Sequence, residues 1–255
     1  MDGSNNSTSF IDKSFTVKTA VVVGDAKLST ATSKFGSSSA YFDGNGDYIY
    51  FPYSEDFNLS SNSYTIEGWV NPSSLSSTMG VISKHQSGVG ADWMFYIMNS
   101  TEVGFFANNS TTFTRTVPTI STGTWYHFAV VRSAATGLIS IYWNGTLAGS
   151  TISAITGNSG AAVGIGADRP LAPMYFFNGY IDEVRVTKGV ARYTSNFTPP
   201  TAAFLNADGS LSSSDLPAAP SVGDIVFSDN GFYTCSSASP VVWKYYPATS
   251  TTINP

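Results

Sequence analysis

Phe176-Phe177-Asn178-Gly179-Tyr180-Ile181-Asp182-Glu183-Val184-Arg185-Val186, continuing as Thr187-Lys188-Gly189-Val190-Ala191-Arg192-Tyr193, decides how the chain is read. Its apolar and aromatic content is that of a buried strand, yet two adjacent carboxylates and an arginine interrupt the simple alternation of a two-faced strand. Ile181 and Val184 are three apart and Val184 and Val186 two apart, so the apolar parity slips once. A β-bulge at Asp182-Glu183 absorbs such a slip, and bulges sit beside sites as well as at sheet ends. Structural ion pairs among Asp182, Glu183 and Arg185 are the commoner outcome for such a cluster.

Upstream of this stretch, short strands and turns follow one another at regular spacing. Phe15 to Val23 reads as a strand entering a core. Ser39 to Pro52 reads as two aromatic strands around Asp43-Gly44-Asn45-Gly46-Asp47, where the glycines supply a tight reversal and the flanking carboxylates could hold calcium. Tyr64, Ile66 and Val70 share one face of the next strand, and Thr65, Glu67 and Trp69 the other. Val81 to His85, Asp92 to Met98, Glu102 to Ala107 and Thr111 to Val117 continue the series. Thr124 to Arg132 is apolar on both faces and is expected to be a central strand. Leu138 to Trp143 sends Ile139, Ile141 and Trp143 inward and ends at Asn144-Gly145, a strong hairpin signal. Periodicity and spacing together give an all-β, two-sheet antiparallel sandwich.

Composition narrows the function. Charged residues are 11% of the 255 and aromatics 14%, which suits a β-rich extracellular or particle-borne surface. The net charge is −5 and the twelve basic residues are scattered, so nucleic acid is not an expected partner. One cysteine, Cys235, and two histidines exclude an intrachain disulfide and a Cys/His zinc centre. The first residues show no positive segment followed by an apolar one, and no run of 18 apolar residues occurs, so neither export by a recognisable signal nor membrane insertion is expected.

Candidate chemistry is sparse. Glycoside hydrolysis needs two carboxylates flanking a sugar, and Glu67 and Glu183 are single carboxylates that read as structural groups. No nucleophile elbow accompanies His85 or His127. Sugar binding is the better active reading, with Trp93, Tyr96, Asn99, Asn109, Asp168 and Arg169 as candidates for stacking and hydroxyl contacts.

Five blocks carry a resemblance: Ser39 to Tyr48, Tyr64 to Val70, Trp125 to Arg132, Tyr142 to Gly145 and Gly179 to Arg185. Together they resemble the concanavalin A-like lectin/glucanase superfamily, in its laminin G-like jelly-roll form, across residues 1–204. The glucanases' paired-carboxylate strand is missing, so the resemblance implies a non-enzymatic protein. Val186 to Tyr193 with Phe197 to Pro200 resembles the subset found in bacteriophage and marine viral structural proteins. That implies a virion component, in the capsid decoration or the tail, assembled in the host cytoplasm as a homo-oligomer among other virion proteins. The alternative is an adhesin for host-surface glycans. The resemblance also implies a structural calcium, with Asp2, Asp43 and Asp182 as its ligands.

Beyond the sandwich, residues 205–220 read as a linker and 221–255 as a small β module. About 35 residues cannot bury a stable core without help. The aromatic residues Phe232, Tyr233, Trp243, Tyr245 and Tyr246 are therefore expected to dock on a partner.

Overall fold

The computed structural model describes residues 1–14, 16–86, 89–108, 111–152, 157, 159–168, 173–204, 225–228, 231–238 and 241–247, the last three as backbone and without the side chains at 91, 111 and 112. The chain divides into two compact units, Met1–Ile11 with Lys18–Pro199 and Asp12–Val17 with Pro200–Pro255.

The larger unit is a sandwich of two seven-stranded antiparallel sheets. One sheet runs β1 (Val21–Val23), β4 (Tyr48–Phe51), β13 (Val163–Ile165), β6 (Met79–Gln86), β7 (Gly90–Asn99), β8 (Glu102–Ala107), β9 (Thr111–Thr116). The other runs β12 (Thr146–Ile152), β11 (Leu138–Trp143), β10 (Tyr126–Arg132), β5 (Tyr64–Pro72), β14 (Asn178–Lys188), β3 (Ser39–Asp43), β2 (Lys27–Ser29). The jelly-roll class expected from the sequence is the class found.

Alternation builds the core. Tyr64, Ile66 and Val70 of β5, Ile139, Ile141 and Trp143 of β11, and Trp93, Phe95 and Ile97 of β7 face one another between the sheets. Phe95 and Phe128 stack across the interior with ring centres 4.4 Å apart. Strand β10 is central and buried along its whole length, as its two apolar faces require. At the sandwich margin Arg115 of β9 donates to the Ser150 carbonyl of β12 at 2.7 Å, joining edge strands of the two sheets.

The parity slip in β14 is a real bulge. Its register against β5 shifts between Asp182 and Arg185, and Glu183 takes a left-handed φ of 49°. The hairpin at Asn144-Gly145 is also as expected, with φ of 48° and 75°.

The Asp43–Asp47 reversal differs from expectation. Strands β3 and β4 do not pair with each other; β3 pairs with β2 and β14, and β4 with β1 and β13. The turn is a corner that carries the chain from one sheet to the other. Local turn chemistry is the same for both outcomes, which is why the sequence did not separate them. The strand read over Phe15 to Val23 is shorter than expected, with β1 confined to Val21–Val23 and an isolated bridge between Ile11 and Thr19.

The smaller unit contains a three-stranded antiparallel sheet, β15 (Ile225–Ser228), β16 (Gly231–Ala238), β17 (Val241–Pro247). No helix among the described residues is long and apolar enough to cross a membrane.

Candidate functional site

The outer face of the sheet containing β5 and β14 was expected to carry a carboxylate beside an indole. It does, but both are covered. Residues 189–197 run back across this face as a strap, and residues 32–38 cover its other half. Val190 accepts from Thr65 Oγ1 at 3.0 Å, Arg192 N donates to the same hydroxyl, and Phe197 N donates to the Gly145 carbonyl at 2.9 Å. Tyr193 and Phe197 stack with centres 3.5 Å apart, over Ala129, Val131 and Tyr142.

Beneath the strap Glu67 is wholly buried. Oε1 takes two hydrogen bonds from Arg185, at 3.0 and 2.8 Å, and Oε2 one from Tyr193 Oη at 2.8 Å. His127 Nε2 makes a longer approach to Oε2, at 3.4 Å. Burial alone would raise the Glu67 carboxyl; His127, Arg185 and Tyr193 together hold it below the usual carboxylate value. Burial, and then the Glu67 charge, push the Tyr193 phenol up, so it remains a donor. A buried carboxylate with three such bonds ties the strap to the sheet.

Asp182 is equally enclosed. Oδ2 accepts from Lys34 N at 2.9 Å and Phe35 N at 3.4 Å, and Oδ1 from the Met1 amino group at 3.0 Å and Glu183 N at 2.9 Å. Burial raises its carboxyl, and the amino group and N–H donors work against that rise. Lys34 also sits 3.9 Å over the Trp69 ring, a contact worth about 1 kcal/mol.

The calcium ligand set implied by the resemblance does not fit. Calcium takes six to eight oxygen ligands. Asp182 instead meets N–H donors, Asp2 Oδ1 accepts from Ser37 N at 2.7 Å, and Asp43 Oδ1 accepts from Asn45 N at 2.7 Å. Among the described residues, the carboxylates that converge are Asp25, Asp43 and Asp47, with oxygens within 4.8 Å. Asp47 accepts from Asp25 N at 2.7 Å and Asp43 N at 3.2 Å, and burial raises it. Those two bonds fasten the inter-sheet corner through Asp47, and Asp43 and Asp47 are the pair read at the turn as able to hold calcium.

The expected sugar-binding residues are not brought together. Trp93 is fully buried in the core, and exposing such a side chain to stack on a sugar costs about 3 kcal/mol. Tyr96 is 7% exposed and lies flat on β8, where a Cβ at Gly104 would come within 2.3 Å of its hydroxyl. Asp168 is buried and accepts from Met174 N at 2.7 Å, closing its own loop. Asn99 fastens the β7–β8 turn through Thr101 N and Glu102. Asn109 and Arg169 lie outside the described residues.

What the outer face of the β6–β8 sheet does present is His85 stacked on Phe106, both half-buried, with centres 6.0 Å apart and planes 18° from parallel. Met94 pairs with Phe106 on β8 and with Ser83 on β6, and Gly164 of β13 pairs with Ser83 and with Tyr50 of β4. The half-exposed aromatic pair thus lies at the end of a row whose inner members Ser83 and Gly164 are buried, Ser83 Oγ donating to the Ala167 carbonyl at 3.2 Å. Sequence reading missed it because His85 and Phe106 lie on different strands; the one signal was their position opposite the core residues Lys84 and Phe105.

Of the five aromatic residues expected to dock, Phe232 and Tyr233 lie on β16 and Trp243, Tyr245 and Tyr246 on β17, which are described as backbone. Their backbone register pairs Phe232 with Tyr246 and Tyr233 with Tyr245.

Two seven-stranded antiparallel sheets packed over an apolar interior define a jelly-roll sandwich. Residues 43–192 match the laminin G family model described as the concanavalin A-like lectin/glucanases superfamily, and the chain belongs to that family. No curated protein matches the chain. Among solved structures it is similar to domain 4 of an extracellular arabinanase from Geobacillus stearothermophilus, solved with arabinotriose, at TM-score 0.51 and 20% identity over 67% of this chain and 82% of that one. It is also similar to the binding domain of botulinum neurotoxin serotype D, at TM-score 0.54 and 15% identity over 73% of this chain and 47% of that one. A third is the binding domain of botulinum neurotoxin DC in complex with SialylT, at TM-score 0.53 and 14% identity over 73% and 47%. The chain spans about half the length of those two binding domains. At such identities the likeness is one of fold.

Proposed function

We propose that this protein is a non-enzymatic carbohydrate-binding module of a surface, and that it takes glycans on the outer face of the β6–β8 sheet. The observation that carries this is the half-exposed stack of His85 on Phe106 on that face. A pyranose offers one apolar face to an aromatic ring, and the half-exposed pair presents such a ring. The fold is consistent with the reading, since an arabinanase domain solved with arabinotriose shares it. The non-enzymatic part rests on Glu67, whose oxygens are engaged by Arg185 and Tyr193 beneath the strap and cannot flank a scissile bond.

A glycan array of the full chain tests it, run with calcium and with chelator and repeated for Phe106→Ala. The reading expects binding to one glycan class that survives chelation and is lost in the variant. A blank array from the folded protein, or binding unaffected by Phe106→Ala, would remove the site.

A second reading, a bacteriophage particle component residing in the virion, is favoured by the three-stranded sheet of the smaller unit. Its strands are rich in aromatic residues, and three strands of this size do not bury a core by themselves. Other virion proteins or sister copies are the partners this reading requires. Deleting residues 221–255 should then abolish incorporation into particles, and particles that carry the truncated chain at normal copy number would exclude it.

A further inference from the structure

Lys84 is a lysine on the core side of a central strand. It pairs with Val163 on β13 and Trp93 on β7, both core residues, and its side chain is fully buried. Its ammonium contacts Asp92 Oδ2, and that carboxylate is 3% exposed.

Simple alternation would put Asp92 on the face opposite Trp93. The register between β6 and β7 instead steps from Lys84 and Trp93 to His85 and Ala91, leaving Asp92 as the extra residue of a bulge. Bulges re-aim side chains, and this one brings the carboxylate to the lysine.

Ser159 engages both partners. Its carbonyl accepts from Lys84 Nζ at 2.6 Å; its N–H donates to Asp92 Oδ1 and Oδ2 at 3.2 and 3.0 Å, and its hydroxyl to Oδ2 at 3.1 Å. Among the described residues the two groups are closely packed. A Cβ at Gly157 would come within 2.2 Å of Asp92 Oδ1, one at Gly90 within 2.4 Å of Ser159 Cβ, and the Tyr53 ring lies 5.7 Å from Nζ.

We infer that Lys84 and Asp92 are joined by an intramolecular amide bond, formed without a partner enzyme after the sandwich closes. Two unlike charges held dry are costly to keep as ions, and a proton passed from Nζ to Oδ2 makes a neutral amine and a carboxylic acid. Nζ then attacks Cγ, and the negative charge that develops on Oδ1 is met by the Ser159 N–H, a fixed donor of the oxyanion-hole kind. A second proton from nitrogen reaches Oδ2 through the Ser159 hydroxyl, and that oxygen leaves as water. One C–N bond forms and one C–O bond breaks. Nothing is oxidised or reduced, and no co-reactant is needed. In water the ionised pair resists condensation; holding the two groups together, oriented and dry, is what reverses that preference.

Trypsin reads the result directly, because it does not cut after an acylated lysine. The cleavage sites flanking Lys84 are Lys34 and Arg115, so the unlinked chain gives fragments 35–84 and 85–115. The linked chain gives a single fragment 35–115, lighter than its sequence by one water. The full chain would be purified, incubated, denatured and digested, with fragment masses measured. We expect the single dehydrated fragment from the wild type. We also expect the same amide with loss of ammonia in place of water from Asp92→Asn, and slower conversion in Ser159→Ala. Separate fragments 35–84 and 85–115 as the main products after prolonged incubation, or a 35–115 fragment of undiminished mass, would overturn the assignment. Those readings need no variant to fold, since the wild type alone decides them.

Discussion

Glu67 is an acidic residue held where burial disfavours charge, and its neighbours outweigh the burial. Its carboxyl therefore titrates lower in the folded protein than the ordinary value of 4.5. The sign follows: its contribution is present above that value and is lost as pH falls through the lower folded one. Glu67→Gln, which leaves Arg185 without its anion, should destabilise the protein by about 3 kcal/mol at neutral pH. Asp182 titrates in the opposite sense, since burial raises it, so its own contribution is lost as pH rises through its folded value. Comparing urea melts of wild type and Glu67→Gln across the acid range cancels Asp182 and isolates Glu67. The gap should narrow below about pH 4.5; a gap that stays constant would show that Glu67 is not ionised in the fold. The pairing of Glu67 with Trp69 on one face was legible from alternation. That Tyr193 and Arg185 close over it was not, because a strap that folds back on a sheet leaves no periodicity of its own.

At the scale of elements, the strap and the Asn144-Gly145 hairpin hold each other. Gly145 has φ of 75°, and a Cβ there would lie 1.9 Å from the Phe197 carbonyl oxygen, which belongs to the strap. Leu147 N donates to Asn196 Oδ1 at 2.8 Å and Phe197 N to Gly145 O, so the two segments are tied from both sides. Gly145→Ala should thus do more than strain a turn: it should lift residues 193–197 from the sheet and destabilise by about 2–3 kcal/mol. Hydrogen exchange reads this, with the amide of Phe197 losing protection while β10 keeps it. Equal loss in both would mean the hairpin acts on the whole sandwich and not on the strap. The hairpin and the β14 bulge could both be read in advance, since each follows from a local pattern. The bulge at Asp92 could not, because its parity is consistent with an unbroken strand until β6 is placed beside it.

For the whole molecule, local patterns reveal most of the strands, though not β2 at Lys27–Ser29, while the order of strands within each sheet depends on contacts far apart in the chain. The Asp43–Asp47 turn shows the difference, since the same residues serve a hairpin or a corner between sheets. As a corner it is fastened by Asp47, buried and hydrogen-bonded to the backbone of Asp25 and Asp43. Asp182, at another part of the sandwich, is fastened to Lys34 and Phe35 in the same manner. Both carboxylates do with N–H groups what a calcium ion would otherwise do, which is to tie distant segments to one point. A ligand that binds only the folded state raises its melting temperature in proportion to the logarithm of its concentration. If the N–H groups are the fastening, thermal melts in millimolar calcium and in chelator should superimpose, and Asp182→Asn should lower the melting temperature equally in both. A melting temperature that climbs with calcium in the wild type, and loses that climb in Asp182→Asn, would put a cation where the N–H donors now stand. Loss of the climb in Asp47→Asn alone would place the ion at the corner instead, and the jelly roll would then be held shut by a metal at the point where its chain changes sheets.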